Sequence, residues 1–85
     1  MPKTSSRDAI ISKLVETLQQ ERLRQELSLA QVALRAGLSR AMVMRVEKRE
    51  RLPTIDTLLR ITEALGIDLW KLLKAATETI KRNKA

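Results

Sequence analysis

The chain has no cysteine and no histidine among its 85 residues. Without cysteine it can form neither disulfides nor thiolate metal sites. Without histidine, no Ser-His or Cys-His nucleophile can be built, and zinc loses its usual nitrogen ligand. Carboxylates alone could hold a hard cation, but no Asp/Asn-rich loop closed by a glutamate is present. No metal, no cofactor and no enzymatic activity are therefore expected. Trp70 is the only aromatic residue. That argues against the base-stacking surfaces used for single-stranded nucleic acid. No segment approaches the ~18–20 apolar residues needed to span a bilayer, so no membrane partner is expected. The opening MPKTSSRDAI lacks the apolar stretch of a secretory leader, which points to the cytoplasm.

Glycine is equally scarce. The only two, Gly37 and Gly66, each fall just past an apolar-periodic segment, where a helix would end. No run alternates apolar and polar residues between turn signals, so no strand is expected. What remains is helix-forming and basic. Lys and Arg number 17 against 10 Asp and Glu, a formal charge of +7. In so small a chain that balance suits a polyanionic partner, although many small helical proteins are basic only for solubility.

Five helices account for nearly all of the sequence, giving one all-α domain over 1–85 with its core in about 10–75. The first starts near Ser5 or Ser6, carries Asp8 in its first turn and ends near Glu26; Ile10, Ile11, Leu14, Val15 and Leu18 recur on one face. The second starts after Ser28, where Ser28 and Gln31 form a capping box, and Gly37 stops it. Ser39 caps the third, which runs from about Arg40 to Lys48. A charged connection, KRERL, follows at 48–52. Pro53 and Thr54 begin the fourth, with Ile55, Leu58, Leu59, Ile61 and Leu65 as its buried stripe, and Gly66 ends it. Asp68 caps the fifth, where Leu69, Leu72, Leu73, Ala76 and Ile80 continue one apolar face. The final KRNKA, 81–85, is expected to be a frayed basic tail.

Residues 29–48, LAQVALRAGLSRAMVMRVEK, carry the most information. Ala33 is small enough to let two helices approach closely. Gly37, four residues later, can take the left-handed conformation that ends the first of them. Val43 and Val46 lie three apart on one face and can pack back onto that helix. These offsets describe a helix-turn-helix, whose second helix usually enters a DNA major groove.

The stretch from Leu14 to Leu73 resembles the Xre/Cro-repressor type of helix-turn-helix domain, also called lambda-repressor-like. The matching residues are Leu18, Arg22, Leu27-Ser28, Val32-Ala33, Gly37-Leu38-Ser39, Val43, Arg45-Val46-Glu47, Pro53, Thr57-Leu58, Ala64-Leu65-Gly66-Ile67 and Leu72. The resemblance implies a five-helix fold in which helices 2 and 3 form the motif and helix 3 reads DNA. It places Ser39, Arg40, Ala41 and Met42, with Met44 and Arg45 one turn on, at the base edges. An arginine there can donate two hydrogen bonds to guanine O6 and N7, whereas Ala41 and the methionines offer only apolar contact. Met42 and Met44 could equally pack under neighbouring side chains. Glu47 matches a family glutamate that pairs with an arginine of the first helix, here Arg22.

Three positions depart from the family pattern. Leu29 stands where a phosphate-contacting glutamine is common, which leaves Ser28, Gln31 and backbone NH groups to make that contact. Glu26 stands where a glycine is common before Leu27. Arg49 replaces the glycine that usually follows the recognition helix, so that turn is expected to be built differently.

Arg40, Arg45, Lys48, Arg49 and Arg51 face Glu47 and Glu50, a balance of +3 over residues 40–51. Beside a recognition helix, Lys48, Arg49 and Arg51 are candidates for phosphate contact; elsewhere such a run would be an ordinary solvated loop. One helix reads only a few base pairs, so a homodimer reading two half-sites is expected. Leu69, Trp70, Leu73, Ala76 and Ile80 of helix 5 are its candidate interface, although Trp70 and Leu72 could instead close the monomer core. The expected function is a sequence-specific, double-stranded DNA-binding transcriptional regulator of prokaryotic or phage type, a dimeric repressor, nucleoid-associated when bound and without a small-molecule effector. Antitoxins, which add a toxin as partner, and restriction–modification controllers share that mechanism. From a different class, apolar Leu29, Ala30, Ala41, Met42 and Met44 would suit a protein-interaction module that has lost DNA binding.

Overall fold

Residues 6–83 are described by the computed structural model, and every regular element among them is a helix. These are α1 (Ser6–Arg24), α2 (Leu29–Ala36), α3 (Arg40–Glu47), α4 (Ile55–Leu65) and α5 (Leu69–Asn83). Ser5, the alternative start of α1, and Lys84 and Ala85 of the basic tail lie outside the described residues.

Side chains set the starts of α2 and α3 as the sequence predicts, whereas Asp68, the expected cap of α5, has its carboxylate 3.4 Å from Lys71 Nζ. Ser28 Oγ accepts from Gln31 N at 3.0 Å while Gln31 Oε1 accepts from Ser28 N at 2.8 Å, closing a reciprocal capping box. Ser39 Oγ accepts from Met42 N at 3.0 Å. The start of α4 differs from expectation. Thr54 is its N-cap, with Oγ1 accepting from Thr57 N at 3.1 Å, so the helix begins at Ile55 and Pro53 precedes the cap. A capping residue must keep an extended backbone to aim its hydroxyl at the third amide, so Thr54 cannot itself be helical.

The helix ends hold the main backbone finding. Gly37 and Gly66 take left-handed φ of 70° and 72°, as expected. Glu26 and Arg49 do the same, at 58° and 60°. Glu26 N donates to Leu23 O (2.9 Å) and Leu27 N to Arg22 O (3.0 Å), so α1 stops at Arg24 rather than near Glu26. Arg49 N donates to Val46 O (3.0 Å) and Glu50 N to Arg45 O (2.9 Å). Both are the paired bonds of a Schellman ending. The turn after α3 is thus the same as the one glycine would make, contrary to the expectation of a different build.

The core draws on every helix: Leu14, Val15 and Leu18 of α1, Val32 and Ala33 of α2, Val43 and Val46 of α3, Leu58, Ile61 and Leu65 of α4, and Leu69 of α5. Ala33 sits at the α2–α3 approach and both valines are fully buried, as their spacing predicts. α5 packs chiefly along α1, and α2 against α3 and α4. Two features correct the sequence reading. Ile55 and Leu59 are 63% and 44% exposed, and the buried stripe of α4 is instead Leu58, Ile61, Thr62 and Leu65. At about 100° per residue those four share one face while Ile55 and Leu59 sit on its flank. Thr62 tolerates burial because its hydroxyl bonds back to Leu58 O (2.9 Å) and Leu59 O (3.1 Å). The basic segment at 81–83 is not a tail but the last turn of α5, where cations suit the helix dipole.

Two polar ties fix how the helices meet. Gln25 Nε2 donates to Leu65 O at 2.7 Å, satisfying a terminal carbonyl of α4 from the end of α1. Arg60 Nε donates to Asp56 at 2.8 Å, and its Nη1 reaches Ala36 O, the last carbonyl of α2, at 3.4 Å.

Candidate nucleic-acid interface

α3 is eight residues long and amphipathic. Val43 and Val46 point into the core, so by helical rotation Ala41, Met44, Arg45 and Lys48 point away from it, with Arg40 at the leading end. Arg40, Arg45 and Lys48 are exposed; Ala41 and Met44 are half-buried on the outer side. Met42 packs against the core, as does Leu29. Two of the apolar residues that make the motif look poor in polar surface are therefore structural, and their side chains are turned inward.

Charge on this face is sharper than the sequence balance implies. Glu47 is bound by Arg22 in a fork, with Nε to Oε2 at 2.7 Å and Nη2 to Oε1 at 2.9 Å. Arg22 Nη1 also donates to Leu27 O at 2.8 Å. The side chains of this pair are only 11% and 9% exposed. The hydrogen bonds to Glu47 raise the already high pKa of Arg22, so its charge is fixed. The pair joins α1, the α1–α2 turn and α3, and it removes Glu47 from the electrostatics of the reading face. Over residues 40–51 five cations are then opposed by Glu50 alone. None of Arg40, Arg45, Lys48, Arg49 and Arg51 has an ion-pair partner among the described residues.

The capping serines and Gln31 spend only part of their hydrogen-bonding capacity. Each of Ser28 Oγ and Ser39 Oγ accepts from a backbone amide and keeps its hydroxyl proton to donate. The Gln31 carbonyl oxygen is engaged by Ser28 N, which leaves the amide NH₂ pointing outward with two donors. These are the groups a phosphate oxygen could accept from at the starts of α2 and α3.

The five residues predicted for a dimer interface do not lie on one open face. Leu69 and Ala76 are buried within the chain, and Leu73 and Ile80 are half-buried on the same side of α5, which packs along α1. Only Trp70 is open, at 61%, with Lys71 Nζ 6.0 Å from its ring centre. Ile55 and Leu59, one turn apart on α4, are also exposed, although their periodicity matches a core stripe and gives no signal of it; Leu23, Leu34 and Leu52 are the other exposed large apolar residues among those described. No group of three metal-ligating side chains occurs among the described residues, and no described helix is long and apolar enough to cross a membrane.

The Helix-turn-helix family model matches residues 18–69, which include all of α2, α3 and α4. Among solved structures, the chain is similar to a tyrosine-to-alanine mutant of the restriction–modification controller protein C.Esp1396I. The TM-score is 0.75 at 20% identity, covering 86% of this chain and 95% of that one. The wild-type form of that protein gives a TM-score of 0.72 at 20% identity, covering 82% and 95%. At this identity the likeness is one of fold. No curated protein matches significantly.

Proposed function

The chain belongs to the helix-turn-helix family, and from that premise we propose that it is a sequence-specific transcriptional regulator reading the major groove of double-stranded DNA with α3. One observation carries the reading: α3 and its C-cap present Arg40, Arg45 and Lys48 without ion-pair partners, while the carboxylate of Glu47 is engaged by Arg22. Arg40 and Arg45 are the candidates for bidentate contact to guanine, with Ser39, Ala41 and Met44 beside them. Ser28, Gln31, Lys48, Arg49 and Arg51 surround them as candidates for phosphate contact. Met42, held against the core, serves the fold rather than base reading.

The active form is a homodimer, because a single eight-residue helix specifies too few base pairs. Its apolar contact is drawn from exposed Trp70, Ile55 and Leu59, with the inner face of α5 left to the monomer core. A bound dimer would cover a promoter and so repress. Trp70→Ala with Leu59→Ala should shift sedimentation from dimer to monomer; an unchanged dimer would place the interface elsewhere.

Selection from random duplex DNA tests the main reading, since it reports both half-site and spacing. Arg40→Ala and Arg45→Ala should each relax preference at one position by ~1–3 kcal/mol. If both variants selected the same site as strongly as the parent, α3 would not be the reader.

A restriction–modification controller role is the second reading, favoured by the similar fold of C.Esp1396I. It uses the same DNA chemistry and is decided by the neighbouring genes. The antitoxin role, with a toxin as partner, has no comparable support. The interaction-module reading loses much of its basis once Leu29 and Met42 are packed inward.

A further inference from the structure

A hollow of about 150 Å³ opens between the first half of α1 and the turn that follows α3. Its floor reaches the core: Val15 and Val46 are each 1% exposed, and Ile11 beside them is half-buried. Leu52 also lines it and is an apolar side chain that could fill it, yet it stays 72% exposed. The α3–α4 connection thus leaves the hollow unfilled and keeps a leucine in water at its edge. A ligand that covered both would gain from each, because removing apolar surface from water is favourable. A space of this size lined by aliphatic side chains holds one benzene-sized ring.

The polar groups around the hollow are unspent donors. Thr17 Oγ1 and Thr62 Oγ1, both within helices, donate to the carbonyl four residues back at 2.9 Å. Ser12 of α1 is half-buried and makes no such bond; its hydroxyl has no hydrogen-bond partner among the described residues. Arg49 and Arg51 line the same hollow and likewise lack a hydrogen-bond or ion-pair partner there. The only acid on the lining is Asp8, which is already engaged, so two guanidinium charges outweigh one carboxylate. An apolar pocket with a few convergent polar groups is the usual form of a small-molecule site, and here those groups select an anion.

We infer that this hollow binds a small carboxylate with an apolar body, either a single ring or a short branched chain. The body lies against Ile11, Val15, Val46 and Leu52, and the carboxylate accepts from Ser12, Arg49 and Arg51. Residue types alone give no sign of the site and lead to the expectation of no small-molecule effector, because its lining comes from two separate segments, 8–15 and 46–53. Occupancy also bears on DNA, a consequence that rests on the DNA-binding reading above. Arg49 and Arg51 are candidates for phosphate contact, so a bound carboxylate competes with the duplex for both and acts as an effector that lowers DNA affinity.

Benzoate, benzyl alcohol and acetate, titrated into the full chain and followed by side-chain methyl NMR, separate the two halves of the site. Benzoate should saturate with a Kd on the order of 1 mM and move the methyls of Ile11, Val15, Val46 and Leu52. Benzyl alcohol keeps the ring and acetate keeps the charge; each should bind at least about fivefold more weakly. Ser12→Leu fills the hollow and removes its hydroxyl, and should abolish the benzoate shifts. The exposed pair Arg49→Gln/Arg51→Gln should weaken benzoate about five- to tenfold, and it tests the site even if Ser12→Leu does not fold. Lys74→Gln, an exposed cation of α5 outside the lining, should leave benzoate binding unchanged. In a duplex titration at constant ionic strength, benzoate at about ten times its Kd should weaken binding by the parent about three- to tenfold, and binding by Ser12→Leu not at all.

No saturable methyl shift with benzoate would overturn the inference. Acetate binding as tightly as benzoate would also overturn it, by reducing the site to an anion on two arginines. Benzyl alcohol binding as tightly would overturn the carboxylate assignment. If the parent binds both benzoate and duplex, but benzoate leaves duplex affinity unchanged, the effector role fails while the site and the DNA-binding reading stand. If the parent binds benzoate but no duplex, the DNA-binding reading and the effector role fail and the site stands.

Discussion

Removing Glu47 should cost far more than an ordinary surface charge. Glu47→Ala takes two hydrogen bonds, of 2.7 and 2.9 Å, from the Arg22 guanidinium and leaves it only Leu27 O. That guanidinium cannot neutralise itself at any working pH, so the variant keeps a charge whose side chain is 11% exposed. Exposed ion pairs contribute ~0–1 kcal/mol, whereas breaking a buried one costs ~3–5 kcal/mol. At about one-tenth exposure on each side, the expected loss is ~2–4 kcal/mol. A domain of this size has only ~4–13 kcal/mol in total, so the effect is a large share of its stability. Urea unfolding followed by far-ultraviolet circular dichroism would measure it; Trp70 is too exposed to report the core by fluorescence. Arg22→Met should lose a similar amount, since it strands the Glu47 carboxylate. The double variant Arg22→Met/Glu47→Leu should recover to within about 1 kcal/mol of the parent, because apolar pairs replace buried ion pairs at little cost. With Glu47→Leu as the matching single variant, expected to lose as much as Glu47→Ala, the cycle gives a coupling of roughly 3 kcal/mol or more. Single variants that each lose under about 0.5 kcal/mol would refute the reasoning, and the pair would then be no more than a surface contact.

Three further outcomes test the helix ends and the polar contacts beside them. Ser39→Ala removes the hydroxyl that accepts from Met42 N, so it should cost ~1 kcal/mol in urea unfolding. Because α3 has only eight residues, duplex affinity should fall with it in a binding titration. Gly37→Ala places a Cβ at φ +70° and 3.1 Å from Arg60 Nη1, and should cost ~1–2 kcal/mol by the same measurement. The hydrogen bond from Arg24, reinforced by Gln25, holds the Glu21 carboxyl below the usual glutamate range. A lowered folded-state pKa gives stability that is present above the unfolded value and lost as pH falls through the folded one. Melting curves at stepped pH should therefore show parent and Glu21→Gln converging under acid; a gap that persisted there would assign the difference to packing.

Much of the fold was legible because local chemistry and apolar period agree. The Ser28–Gln31 box, the Ser39 cap and the two glycine stops each declare a boundary through short-range hydrogen bonding, and all four are present. The Ala33, Val43 and Val46 spacing gave the α2–α3 crossing for the same reason. Periodicity was less reliable where two faces of a helix are both apolar. On α4 it could not tell the buried Leu58 and Ile61 from the exposed Ile55 and Leu59, and it had no signal for Thr62, a polar residue buried with a backbone partner. The candidate site was half legible. Residue type pointed to Arg40 and Arg45 as readers, but it could not say that Met42 turns inward.

By itself the sequence determined an all-helical chain with a helix-turn-helix at 29–48, and it ruled out disulfides and His- or Cys-based chemistry. Those conclusions rest on residue types and on spacings within one or two helical turns, where neighbours in sequence are neighbours in space. Only the tertiary structure decided the rest. It took Glu47 off the reading face by bringing Arg22 to it from 25 positions away. It assigned the inner face of α5 to α1, leaving Trp70 open, and it turned Ile55 and Leu59 of α4 outward. It also put Glu26 and Arg49 into a conformation that neither residue type favours. Intrinsic preference is worth about a kilocalorie per mole at such a position, and the packing of whole helices on either side outweighs it.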